Sequence, residues 1–151
     1  MGDKESKNFW EYKGLDEMTP KEWESLCDGC ARCCMIKLEE EETAEINYTA
    51  AVCRFLDERS CRCTSYFKRH SLVANCVRLT PDNVLDFKWL PLSCAYRRIA
   101  EGSPLESWHP LISKRSDSVH EAQISVRDKV VSELSIHENQ LEDMIIKWVE
   151  Y

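Results

Sequence analysis

Four cysteines within eight residues, Cys27-x-x-Cys30-x-x-Cys33-Cys34, constrain this chain more than any other feature. A Cys-x-x-Cys turn brings two sulfurs within reach of one metal ion while its backbone N–H groups point at them. That is why the spacing recurs in zinc and iron–sulfur sites. Cys27, Cys30 and Cys33 reproduce the first three ligands of the bacterial ferredoxin run. The fourth position of that run is missing, so a distant thiol, Cys94 or Cys76, has to complete such a site. Adjacent side chains tend to diverge. Cys33 and Cys34 are therefore not expected to bind one mononuclear ion together; Cys34 either serves a second site or is buried.

Nine cysteines are present in 151 residues, the others being Cys53, Cys61, Cys63, Cys76 and Cys94. The first residues, MGDKESKNFW, contain no apolar stretch of the secretory kind, which points to a cytoplasmic protein. In a reducing compartment stable disulfides are rare, and an odd count leaves at least one thiol unpaired. Metal ligation is thus the leading reading for all nine, ahead of redox or catalytic thiols and buried cysteines acting as small hydrophobes. Nine thiols allow two four-ligand sites with one to spare, or one site with several structural thiols. A thioredoxin-like role would need a strand before the motif, and a capped helix precedes it instead. His70, His109, His120 and His137 are each expected to be surface or hydrogen-bonded histidines rather than ligands or bases. His109, between Trp108 and Pro110, is the most distinctive of them. Gly2 and Ser6 match the short myristoylation pattern, which often arises by chance.

Charge is unevenly distributed. Residues 1–50 hold six Lys+Arg against thirteen Asp+Glu, residues 51–100 nine against four, and residues 101–151 five against ten. Five of the nine cysteines lie in the basic middle, where Arg54, Arg59, Arg62, Arg97 and Arg98 could offset the negative charge of a four-thiolate metal site. A solvated basic face is the plainer alternative. An overall net charge of −7 argues against a dedicated nucleic-acid binder. The run Glu39–Glu42 reads as a solvated surface or a first helical turn, because consecutive carboxylates on a helix do not converge on one cation. No apolar run exceeds four residues, which excludes a membrane-spanning helix.

The length fits one domain over residues 1–151, able to bury a core without disulfides, with residues 1–18 as a loosely docked segment. Thr19-x-x-Glu22 is a capping box with Pro20 at the first helical position, predicting a helix over about residues 20–26. Thr80-Pro81-Asp82 is a second helix start. A helix over about residues 92–100 would end at Gly102. Leu141, Met144, Ile145, Trp148 and Val149 recur at helical spacing, predicting an amphipathic helix from His137 to Glu150. A small antiparallel hairpin is expected near Cys53–Cys63, with its turn at Glu58–Ser60 and with Cys61 and Cys63 on one strand face. Short strands around Ile124–Val126 complete the prediction. The fold class is α+β, mainly helical, a metal-braced domain with irregular cysteine-rich loops.

The motif, together with Trp23-Glu24-Ser25-Leu26-Cys27-Asp28-Gly29-Cys30, Trp89-Leu90-Pro91-Leu92-Ser93-Cys94-Ala95-Tyr96-Arg97 and Trp108-His109-Pro110-Leu111, resembles the bacterial cysteine-cluster family of zinc- or iron-chelating proteins, in its YcgN-type subfamily. The resemblance spans most of the chain. It implies a small cytoplasmic metal-binding protein and says little about any reaction. Relatives usually carry Gly where this chain has Ala31. A left-handed backbone there would strain Ala by roughly 1 kcal/mol. The expected function is chelation of zinc or iron, including a 4Fe-4S cluster as one form. Two alternatives remain open: a metal-dependent or iron–sulfur enzyme, and a metal-braced adaptor presenting the basic segment to RNA or an acidic protein.

Overall fold

The computed structural model describes residues 8–73, 76 and 78–151; Gly2 and Ser6 lie outside them, as does the side chain of His70. The chain opens with two short helices, α1 (Phe9–Tyr12) and α2 (Pro20–Ser25). The capping box that predicts α2 forms: Glu22 N–H donates to Thr19 Oγ1 at 3.1 Å, and Thr19 N–H donates to Glu22 Oε1 at 2.9 Å. The Cys27–Cys34 motif follows directly and ends in a 3-10 turn, Arg32–Cys34.

Strands β1 (Met35–Glu39) and β2 (Ile46–Val52) then pair antiparallel. Glu40–Glu42 lie in the exposed loop between them, closed by Ala44 N–H on Glu40 O at 2.8 Å. The glutamate run is therefore a hairpin tip, where charge stays solvated, and not a helical turn. The expected second hairpin is present as β3 (Leu56–Asp57) and β4 (Arg62–Cys63). Cys61 lies in its turn with φ 57°, not on the strand beside Cys63. That left-handed residue turns the Cys61 side chain away from the face assigned to it by strand alternation.

Three helices follow in chain order: α3 (Arg69–Leu72), α4 (Ala95–Ala100) and α5 (Pro110–Ser113). Then come α6 (Ser118–Glu121) and β5 (Val131–Ser132). Gly102, at φ +79°, terminates α4 as predicted. β5 pairs parallel to β2, giving the sheet order β1-β2-β5. No strand forms at Ile124–Val126, whose backbone is used differently: Val126 N–H donates to Cys30 O at 3.0 Å.

Among the described residues, helix accounts for 35% and strand for 14%. The content is mixed α+β and not mainly helical, because every α-helix among the described residues is six residues or fewer. The C-terminal expectation fails most clearly. Glu138–Met144 is a 3-10 helix, and the chain then runs extended. Ile145 bridges Thr49, and Ile146 N–H donates to Tyr48 O at 2.8 Å. Pairing with β2 satisfies this backbone in extended form and still buries Val149, so tertiary contact overrides the helical periodicity.

Two apolar clusters make the core. One joins Met35, Tyr48, Val52, Leu56, Val126 and Val149 around the sheet. The other joins Trp10, Leu26, Val84, Leu90, Tyr96 and Leu105, with Leu15 and Met18 packed against it. Leu26 belongs to the second cluster and Ala31 to the first, so the cysteine motif is the chain segment that connects them.

Candidate metal centre

The motif is held from both sides by bonds that fix its backbone. His109, 1% exposed, places Nε2 2.8 Å from Leu26 O and accepts Leu111 N–H on Nδ1 at 3.0 Å. Both ring nitrogens are thus occupied, with the proton on Nε2, and His109 is a structural histidine and not a ligand. Tyr96 Oη donates to Trp23 O at 2.6 Å, which draws the start of α4, and Cys94 with it, toward the motif. Arg32 Nη1 reaches Ser93 Oγ at 3.4 Å, and its Nε donates to Ile124 O at 2.7 Å.

On the other side, Cys53 N–H donates to Cys34 O at 3.0 Å, and Leu56 N–H donates to Cys53 O at 3.0 Å. Leu56 pairs with Cys63 across β3 and β4. These steps place Cys53 and Cys63 beside Cys34.

Peptide N–H groups face the sulfurs at a recurring offset. Gly29 N–H faces Cys27, Arg32 N–H faces Cys30, Phe55 N–H faces Cys53, and Tyr96 and Arg97 N–H face Cys94. Positive φ at Gly29 (+80°) and Ala31 (62°) shapes the turns at Cys27 and Cys30. Ala31 is left-handed after all, so this chain carries the strain that a glycine would relieve. At Gly29 an added Cβ would lie 3.3 Å from Arg62 Nη2. Gly29→Ala is therefore expected to destabilise the fold by at least about 1 kcal/mol, read as a lower urea midpoint, from left-handed strain and from pressure on the hairpin.

Burial governs the free thiols. It pushes Cys27 and Cys94 up to about 12, and Cys30 well above the ordinary thiol value. Cys27 keeps solvent access, yet dense surroundings desolvate it. Cys33 and Cys34 share a hydrogen bond that lowers Cys33 and raises Cys34, with Lys37 also favouring the Cys33 thiolate. Lys37 Nζ donates to Cys33 O at 3.0 Å and to Met35 O at 2.8 Å, and stands over the Trp89 ring at 4.5 Å. Of the five arginines singled out by sequence, Arg62 stands over Gly29. Arg97 and Arg98 are instead bound to Leu90 O, Pro104 O, Glu101 and Glu106. Arg32 and Lys37, inside and just after the motif, were missed by attention to the basic middle.

Asp28 was also missed, although its place between two motif cysteines was a signal. It is 4% exposed, its Oδ1 accepts Cys30 N–H at 2.9 Å, and its Oδ2 has no hydrogen-bond partner among the described residues. Burial pushes its carboxyl upward.

Among the described residues, no three His, Cys, Asp or Glu side chains stand together closely enough to hold a metal ion. The donor set nonetheless fits a thiophilic metal in three respects. The donors are thiols; N–H groups face them, as suits thiolate; and an orphaned carboxylate oxygen lies among them, where a nearby cation would offset its burial. Two open clefts are lined by other residues, one around Arg59 and Arg127 and one around Trp10 and Pro104.

A small α+β fold with a Cys-x-x-Cys-x-x-Cys-Cys motif between two apolar clusters defines a class, the cysteine-cluster proteins. A family profile described as "CxxCxxCC: Putative zinc- or iron-chelating domain" matches residues 26–95. The chain is 55% identical over 141 residues to a UPF0260 protein of Cellvibrio japonicus, covering 93% of this chain and 96% of that one. It is 52% identical over 141 residues to a UPF0260 protein of Marinobacter nauticus, covering 93% and 95%. A UPF0260 protein of Nitrobacter hamburgensis is 53% identical over 141 residues, covering 93% and 82%. This chain belongs to the UPF0260 family. No solved structure matches it. No helix among the described residues is long and apolar enough to cross a membrane.

Proposed function

We propose that this protein is a cytoplasmic metal-chelating domain, spanning residues 1–151, that holds zinc or iron through clustered cysteine thiolates. The observation that carries the reading is the convergence of Cys94 and of the β3–β4 hairpin on the Cys27–Cys34 turn, by the Tyr96–Trp23 and Cys53–Cys34 bonds. These contacts tie the segments that carry distant thiols to the motif, which supports a site whose missing fourth ligand comes from elsewhere in the chain. Bound zinc would brace the fold as a Lewis-acidic, redox-inert centre, whereas an iron–sulfur cluster would add one-electron chemistry. The protein's own part is to supply sulfur, aim N–H groups at it and shield it with the two apolar clusters.

Cys27→Ser and Cys30→Ser are each expected to lower bound metal and melting temperature together, because metal binding energy becomes folding energy. Elemental analysis beside a thermal melt checks this. Full metal content and an unchanged melting temperature in both variants would remove the proposal.

A further inference from the structure

We infer that copies of this chain associate head to tail, with the exposed Phe67 of one copy seated in the acid-rimmed apolar cleft beside α1 of the next. The two surfaces share no residue, and each supplies what the other lacks.

The knob sits on the 3-10 turn Tyr66–Lys68, which leads into α3. Phe67 is the most exposed large hydrophobic side chain among the described residues, at 97%. Its base is fixed. Tyr66 meets the Phe67 ring edge to face at 5.6 Å and donates its Oη to Glu24. Arg69 stands 3.8 Å over the Tyr66 ring and donates Nη1 to Tyr66 O at 2.6 Å. Holding an aromatic ring in water forgoes the gain of burying it, and a ring presented on a supported turn has the form of an interface anchor. Lys68 and Arg69 follow it and form no ion pair among the described residues. The knob is apolar at its tip and positive beside it.

The cleft, about 780 Å³, lies between α1, the turn after it, the Val84–Asp86 turn and the ends of α4 and α5. Tyr12, Leu85 and Ile112 are exposed in it. Glu11, Asp16 and Asp82 line it as exposed carboxylates and form no ion pair among the described residues. Lys13, the one cation among its lining residues, is taken by Glu22 at 2.8 Å. Apolar surface ringed by polar groups marks an interaction site, and here the ring is negative.

Charge selects a second copy as the occupant. Most of the cleft's carboxylates lie in residues 1–50, with six Lys+Arg against thirteen Asp+Glu, and the knob lies in residues 51–100, with nine against four. Such segments attract across copies and fix the docking register. An aromatic ring beside cations also suits a single-stranded nucleic acid, but only a second copy accounts for the cleft as well. A contact between two different patches is heterologous, so it repeats from copy to copy unless a ring closes.

The test uses the full chain under reducing conditions, so that thiols cannot link copies, and sedimentation velocity over a range of protein and salt concentrations. Wild type is expected to grow in mass with concentration, and the association to weaken as salt is raised. Phe67→Asp, which removes the knob, and Leu85→Asp, which spoils the cleft, should each be monomeric with the wild-type metal content and melting temperature, since both side chains are exposed. Their mixture decides the geometry. Each variant keeps the surface that the other has lost, so one-to-one dimers should form and growth should stop there. A wild type that stays monomeric, association that persists in both variants, or a mixture that stays monomeric would overturn the inference. So would Phe67-dependent binding of labelled oligouridine by a chain that does not self-associate, which would assign the knob to nucleic acid. None of these results bears on chelation.

Discussion

Stripping metal from the purified protein is expected to unfold its cysteine half while the second apolar cluster survives. The segment from Cys27 to Cys76 has little to hold it besides the sheet cluster: β3 and β4 are two residues each, and Phe67 is 97% exposed. Hairpins of that length have no independent stability in water. Thiolate–zinc binding supplies on the order of 10 kcal/mol in small metal-dependent folds, and a site built from this segment would return much of that as folding energy. The cluster of Trp10, Leu26, Val84, Leu90 and Tyr96 packs through aromatic and aliphatic side chains, with Cys94 the one cysteine against it. After treatment with a strong chelator, hydrogen exchange should show lost protection at the amides of Cys30, Cys53, Cys61 and Thr64. The amides of Arg98 and Ile112 should remain protected. Unchanged exchange at Cys53 and Thr64 after verified metal removal would mean that the metal does not organise this half.

His109→Ala is expected to be the most damaging single change away from the thiols, at about 3 kcal/mol. The imidazole is fully enclosed and ties the end of α2 to the start of α5 through Leu26 O and Leu111 N–H. Its removal leaves a cavity and two backbone groups without partners in a site closed to water. Urea unfolding of metal-loaded protein measures the loss. Metal content should be unchanged at low temperature, because neither ring nitrogen is available as a ligand. A variant with wild-type stability but fewer bound ions would instead make His109 a ligand.

The local chemistry of the chain was legible where one residue type controls the backbone. The Thr19–Glu22 capping box, Pro20 and Gly102 mark α2 and the end of α4 because each acts within a turn. The β1–β2 hairpin was not legible, because its loop uses Glu40–Thr43 and a left-handed Ala44 where Asn or Gly would have signalled a turn. The C-terminal segment carries a helical period in Leu141, Met144, Ile145, Trp148 and Val149. What it becomes depends on the edge offered by Tyr48 and Thr49, nearly a hundred residues earlier.

For the site, the spacing identified the thiols but treated all nine alike. The segments that carry the distant thiols are joined to the motif by long-range contacts such as Cys53 N–H on Cys34 O, which no spacing encodes. The resemblance to relatives with Gly in place of Ala31 did carry structural information: the position is left-handed. Asp28 was legible in principle, since an Asp between Cys-x-x-Cys ligands can bond the N–H two residues on.

The central claim is that these thiols exist to hold metal, and the most direct measurement is the metal and free-thiol content of protein purified without oxygen. Elemental analysis should find zinc or iron at stoichiometric levels, with inorganic sulfide if the centre is a cluster. The native protein should show far fewer than nine reactive thiols, rising to nine after denaturation with a chelator. A folded protein free of metal, whose thiols react alike with and without chelator, would contradict the account.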